Sequence, residues 1–84
     1  MFFYQIKVVI RENKVDEFVE SLRPLSSGFQ KEKGCVDFSL YRHTEMKNTF
    51  SVIGEWKTRQ AMEKHFKDKK FEVLIGAARV LGDT

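Results

Sequence analysis

The architecture turns on residues 36–56, VDFSLYRHTEMKNTFSVIGEW. Val36, Phe38 and Leu40 alternate with Asp37, Ser39 and Tyr41, and Phe50, Val52, Gly54 and Trp56 alternate with Ser51, Ile53 and Glu55. Period two over two such runs is the pattern of two strands, each with one face turned inward. The HTEMKN segment between them is polar and far too short for a parallel crossover, so the two strands form an antiparallel hairpin.

Upstream, Phe2 to Ile10 is aromatic and β-branched. Tyr4, Ile6, Val8 and Ile10 share one face of this first strand, and Phe3, Gln5, Lys7 and Val9 share the other. Phe3 and Val9, together with Tyr41 and Ile53, make the second face of the sheet more apolar than open water favours, as contact with a second sheet would require. Asn13 is placed to cap a helix whose apolar positions Val15, Phe18, Val19, Leu22 and Leu25 follow three-four spacing. Pro24 removes one helical hydrogen bond and predicts a bend or break, after which the helix resumes to Glu32 and Gly34 ends it at positive φ.

Downstream, Thr58 caps a helix that groups Ala61, Met62, His65 and Phe66 on one face. Phe71, Leu74, Ile75, Ala78 and Leu81 form a second such face, separated from the first by the polar stretch Lys67–Lys70 and ended by Gly82. The order is strand, helix, strand, strand, helix, so the fold class is α+β: a ferredoxin-like βαββα(β) unit with an antiparallel sheet, its last strand short or absent. A chain stopping at Thr84 leaves one edge of the first strand bare, so either the natural protein is longer or dimer contacts cover that edge.

With 84 residues the chain is read as a single domain, 1–84, whose core is small enough to gain from association with a second copy. The 42% hydrophobic and 32% charged residues belong to a folded protein. Net charge is +3, but acidic and basic residues are interleaved, which argues only weakly for an anionic partner. Lys57, Arg59, Lys64, Lys67, Lys69 and Lys70 make the second helix and its exit basic; Glu63, Asp68 and Glu72 interrupt the charge, so a solvated face is favoured over a nucleic-acid site. One cysteine, Cys35, and two distant histidines exclude an internal disulfide and a zinc-type ligand set. The N-terminal MFFYQIKVVI is too short to span a membrane and lacks the marks of a signal peptide, so the expected location is cytoplasmic.

The segment from Gly34 to Phe71 resembles the antibiotic biosynthesis monooxygenase family. The matching elements are the turn Gly34-Cys35, the strand end Leu40-Tyr41-Arg42, Phe50 with Glu55-Trp56, and the helix carrying Ala61 and His65; the Leu-Arg-Pro-Leu run from Leu22 to Leu25 fits that family's first helix. The Glu-Trp pair is one residue tighter than the family's Glu-x-Trp. The resemblance implies a homodimeric α/β barrel, in which two sheets pack across a two-fold axis. It also implies oxidation of an aromatic or quinol-like compound without metal, flavin or other cofactor, the electron-rich substrate itself supplying electrons to oxygen.

Such chemistry needs an enclosed apolar pocket between helices and sheet and a group that holds or deprotonates a phenol. Phe38, Phe50, Trp56, Met62, Phe66, Phe71 and Leu74 are the residues available to line it, and His65, on the inward side of its helix, is the candidate base. The competing reading of His65 is a half-exposed residue bonded to a backbone carbonyl. That of Trp56 is ordinary core packing, that of Tyr41 a place in the dimer contact, and that of His43 a solvated hairpin residue. Haem-degrading relatives use a histidine on the last helix, an asparagine on the first strand and a tryptophan on the second helix. Here those positions hold Ile75, no asparagine, and His65, so haem degradation is not expected. A non-catalytic binding or stress-related domain, or an isomerase or decarboxylase, on the same scaffold are the alternatives.

Overall fold

The computed structural model describes residues 1–82. Strands β1 (Phe2–Val9), β2 (Cys35–Arg42) and β3 (Thr49–Trp56) form an antiparallel sheet in the order β1-β3-β2. Helices α1 (Val15–Gln30), α2 (Arg59–Lys67) and α3 (Lys69–Leu81) complete an α+β, ferredoxin-like arrangement. The hairpin expected at 43–48 is present, with Asn48 at φ 56° turning the chain into β3.

Register places the residues that matter for the site. Tyr4 and Phe38 lie on either side of Gly54, Ile6 and Leu40 on either side of Val52, and Val8 and Arg42 on either side of Phe50. A bulge between Cys35 and Asp37 takes Val36 out of the pairing and restores the inward phase for Phe38. The inward residues meet Phe18, Leu22 and Phe29 of α1 and Leu74 and Leu81 of α3 in one core. On the other face Phe3 is 69% exposed and Tyr41 51%, so the apolar character expected there is present and uncovered in the single chain.

Two local expectations need correction. Asn13 does not cap α1: it sits inside a short 3-10 turn, Glu12–Lys14, and the helix begins after Lys14 with no side-chain cap. Pro24 does not break α1, which is continuous through Ser26, Ser27 and Gly28 to Gln30. Phe18, Leu22 and Phe29 are buried on both sides of Pro24, and their shared packing outweighs the one lost hydrogen bond. Other signals correspond closely to the structure. Gly34 has φ +85°, and Thr58 Oγ1 accepts from the Ala61 amide at 3.1 Å. Inside the polar stretch that separates the two helices, Asp68, not singled out in the sequence as a cap, ends α2 and caps α3 through the Lys70 amide at 2.8 Å. Gly82 forms an isolated antiparallel bridge with Ile10, and a Cβ there would lie 2.3 Å from the Ala78 carbonyl oxygen. The remainder of any final strand lies outside the described residues.

Candidate functional site: a tyrosine, histidine and glutamate chain

His65 is in the last turn of α2, and its side chain is fully buried against the sheet. It is neither half-exposed nor bonded to a carbonyl. Its Nε2 lies 2.7 Å from the Tyr4 hydroxyl of β1, and its Nδ1 lies 3.2 Å from Glu32 Oε1 in the loop after α1. Lys70 Nζ, at 3.4 Å from Glu32 Oε2, faces the same carboxylate, and it also approaches Asp68 at 3.6 Å.

The hydrogen-bond partners, with the directions of the pKa shifts beside them, assign the proton positions. Burial is the dominant influence on His65 and pulls its pKa below the ordinary histidine value, although Glu32 pulls the other way. A neutral imidazole beside a carboxylate carries its proton on Nδ1, because the carboxylate only accepts. Nε2 is then an acceptor, and the Tyr4 hydroxyl donates to it. Burial first, and the negative charge of Glu32 second, push the Tyr4 hydroxyl well above the usual phenol value, so it stays protonated and serves as a donor. The result is a directed chain, Tyr4 O–H to His65 Nε2 and His65 Nδ1–H to Glu32. The Cys35 thiol nearby is likewise pushed up by burial and then by Glu32, which keeps it from acting as a ready thiolate.

An aromatic box encloses this chain. The Trp56 ring lies 4.4 Å from the His65 ring, Phe29 4.6 Å, Phe71 5.2 Å, Phe66 5.7 Å and Phe38 6.3 Å, centre to centre. Gly54 makes room for it: a Cβ at that position would come within 2.7 Å of the Tyr4 ring, so any side chain there would displace the ring. Of the residues singled out in the sequence, Phe38, Trp56, Phe66 and Phe71 are thus brought around His65. Phe50 instead packs on Phe18 at 5.4 Å, Leu74 joins the buried core, and Met62 is half-buried on α2. Trp56 is fully buried, as core packing requires, with its Nε1 unpartnered among the described residues. His43 is half-buried and bonds Ser51 Oγ at 2.8 Å, so the hairpin histidine is tied to the outer sheet face rather than solvated.

Three cavities stand out at the surface. One of about 520 Å³ runs between α1 and β2, lined by Val19, Leu22, Ser26, Gln30, Phe38 and Leu40 among others. A second, about 470 Å³, lies where the loop after α1 meets the start of α2; a third, about 250 Å³, adjoins it and reaches Glu32 and Asp68. The relay therefore has an inner end at Tyr4 and an outer end at Glu32, beside a surface cleft.

The antibiotic biosynthesis monooxygenase family model matches residues 1–76. The chain belongs to this family. As an antibiotic biosynthesis monooxygenase family member it is 24% identical over 81 residues to the "Putative monooxygenase YcnE" of Bacillus subtilis, covering 96% of this chain and 85% of that protein. It is also 24% identical over 68 residues to the "Uncharacterized protein sll1783" of Synechocystis, covering 81% of this chain; it spans only about half, 46%, of that relative's length. Among solved structures, a conserved protein from Methanosarcina mazei superposes with a TM-score of 0.89 at 23% identity, covering 98% of this chain and 81% of the other. That likeness concerns the fold.

The pH dependence of stability follows from the directions of the two shifts. The folded pKa of His65 lies below its unfolded value, so between the two the unfolded chain binds more protons, and stability is lost as pH falls from about 6.5. The folded pKa of Tyr4 lies above its unfolded value, so stability is lost as pH rises beyond about 10. Urea unfolding midpoints measured from pH 5 to 11 are expected to form a plateau between these limits. Glu12 and Asp68, both held below the ordinary carboxylate range by lysine partners or a backbone amide, add their loss only in more acid solution.

Proposed function

We propose that this chain is a cofactor-independent oxygenase of a small aromatic or quinol-like compound, acting as a homodimer through its outer sheet face. The observation that carries the reading is the Tyr4–His65–Glu32 chain inside an aromatic box. A substrate hydroxyl placed against Tyr4 passes its proton to the Tyr4 oxygen while Tyr4 passes its own to His65 Nε2. The imidazolium so formed is stabilised by Glu32 through Nδ1–H. The ionised, electron-rich ring then reduces dioxygen directly. Overall a phenol and O2 give a quinone and water. A ring C–H ortho or para to the hydroxyl becomes C=O, the phenolic oxygen becomes the second carbonyl, and the proton held on His65 leaves with the other oxygen atom as water. All four electrons come from the substrate, so no outside reductant enters. His65 thus acts through Tyr4, as a positioning and proton-holding residue. The apolar patch of Phe3, Val9, Tyr41 and Ile53 supports the homodimer. No helix among the described residues is long and apolar enough to cross a membrane.

One observation favours a second reading, a non-catalytic binding domain on the same scaffold. The space between α2 and the sheet is filled by the rings around His65, and the three cavities open elsewhere. Oxygen uptake by the purified chain with a panel of hydroquinones and polyhydroxylated aromatic ketones separates the two. Uptake that depends on substrate and protein is the expected result, and a flat trace across the panel would favour the binding domain.

A further inference from the structure

The cleft of about 470 Å³ is lined by Lys33, Gly34, Lys57, Thr58, Gln60, Ala61 and Lys64. Its three lysines come from three separate segments: the loop after α1, the end of β3 and the second turn of α2. Those segments are locked together, since the Lys57 amide donates to the Gly34 carbonyl at 2.8 Å and Gly34 presses on Ala61 so closely that a Cβ would come within 2.7 Å. No carboxylate lines this cleft, and none of its three lysines is in an ion pair among the described residues, whereas Lys70 is paired with both Glu32 and Asp68 of the adjoining cavity. Those two carboxylates are engaged by His65 and Lys70 rather than by the cleft lysines, so an anion taken up in the cleft meets three ammonium groups with no direct partner of their own. The lysine stems and Ala61 supply apolar walls, and a cavity of this size suits a small molecule.

The geometry points to this cleft as a binding site for a small organic anion, its charged group held by Lys33, Lys57 and Lys64 and its apolar body lying on Ala61 and the lysine stems. The site stands on the cleft itself and not on the oxygenase reading, because its test measures binding rather than turnover. Benzoate is the probe and benzamide, the same shape without charge, its control. Titrating each into the labelled protein, with backbone amide shifts as the readout, is expected to move Gly34, Thr58, Gln60 and Ala61 with benzoate and not with benzamide. The benzoate affinity should fall as salt rises. Lys57→Gln with Lys64→Gln is expected to weaken benzoate about tenfold, each exposed charge contributing a few-fold. Lys67→Gln, on the same helix but outside the cleft, should leave the affinity unchanged. Equal binding of benzamide, shifts scattered away from these amides, or an equal loss in Lys67→Gln would overturn the proposal. Because the replaced lysines are exposed, an unchanged amide spectrum elsewhere confirms that the variants are folded.

Discussion

The Tyr4→Phe variant is expected to oxidise a quinol substrate about 10²–10⁴ times more slowly than the parent chain, the usual contribution of one positioned proton-transfer group. Phenylalanine keeps the ring over Gly54 and its edge contacts with Phe66 and Phe71, at 5.1 and 6.1 Å, so the aromatic packing survives. What disappears is the hydroxyl that donates to His65 Nε2 and that, in the proposed reading, meets the substrate. Leaving His65 Nε2 without its donor costs about 1–3 kcal/mol of stability. Urea denaturation of the same variant therefore has to accompany the oxygen-uptake assay. A rate loss in fully folded protein assigns Tyr4 to the proton path; an unchanged rate removes the chain of hydrogen bonds from the mechanism.

The largest effect on stability is expected at Trp56. Removing its fully buried ring in Trp56→Ala should cost about 3–5 kcal/mol, the range for deleting a large aromatic from a core. For 84 residues total stability is about 4–13 kcal/mol at typical values per residue, so the variant sits near the unfolding threshold. Trp56→Phe should cost less than half as much. It keeps a ring against His65 and at the same time removes a buried N–H that has no partner among the described residues. Thermal and urea unfolding of the pair measure both numbers. Equal losses in the two variants would mean that a phenylalanine ring does not recover the packing of the indole against His65.

The fold was legible because its signals are local. Alternation in 36–56 fixes two strands and their hairpin, Thr58 sits where a helix start needs an acceptor, and Gly34 marks a backbone turn that other residues resist. Asn13 misled for the same reason: a capping residue type says nothing about whether a 3-10 turn will displace the helix start by one position. The site was less legible because it is made of contacts across the chain. His65 stood out from its helix face alone, but Tyr4 is 61 residues away and Glu32 is 33 residues away. Period two told that Tyr4 points inward without telling what it meets. Gly54, a glycine in the middle of a strand, was the available sign of a close approach from a neighbouring strand. Phe50 shows the converse limit, since sharing a strand face with Trp56 did not bring it to His65. A face fixes direction, and only the register and the helix placement fix distance.

Nitrogen NMR of His65 in the labelled protein, followed from pH 8 downward, tests the relay most directly. The structure predicts a neutral ring with the proton on Nδ1 and a bare, pyridine-like Nε2, persisting below the pH at which free histidine takes up its second proton. A ring protonated on Nε2, or one already fully charged at neutral pH, would contradict it.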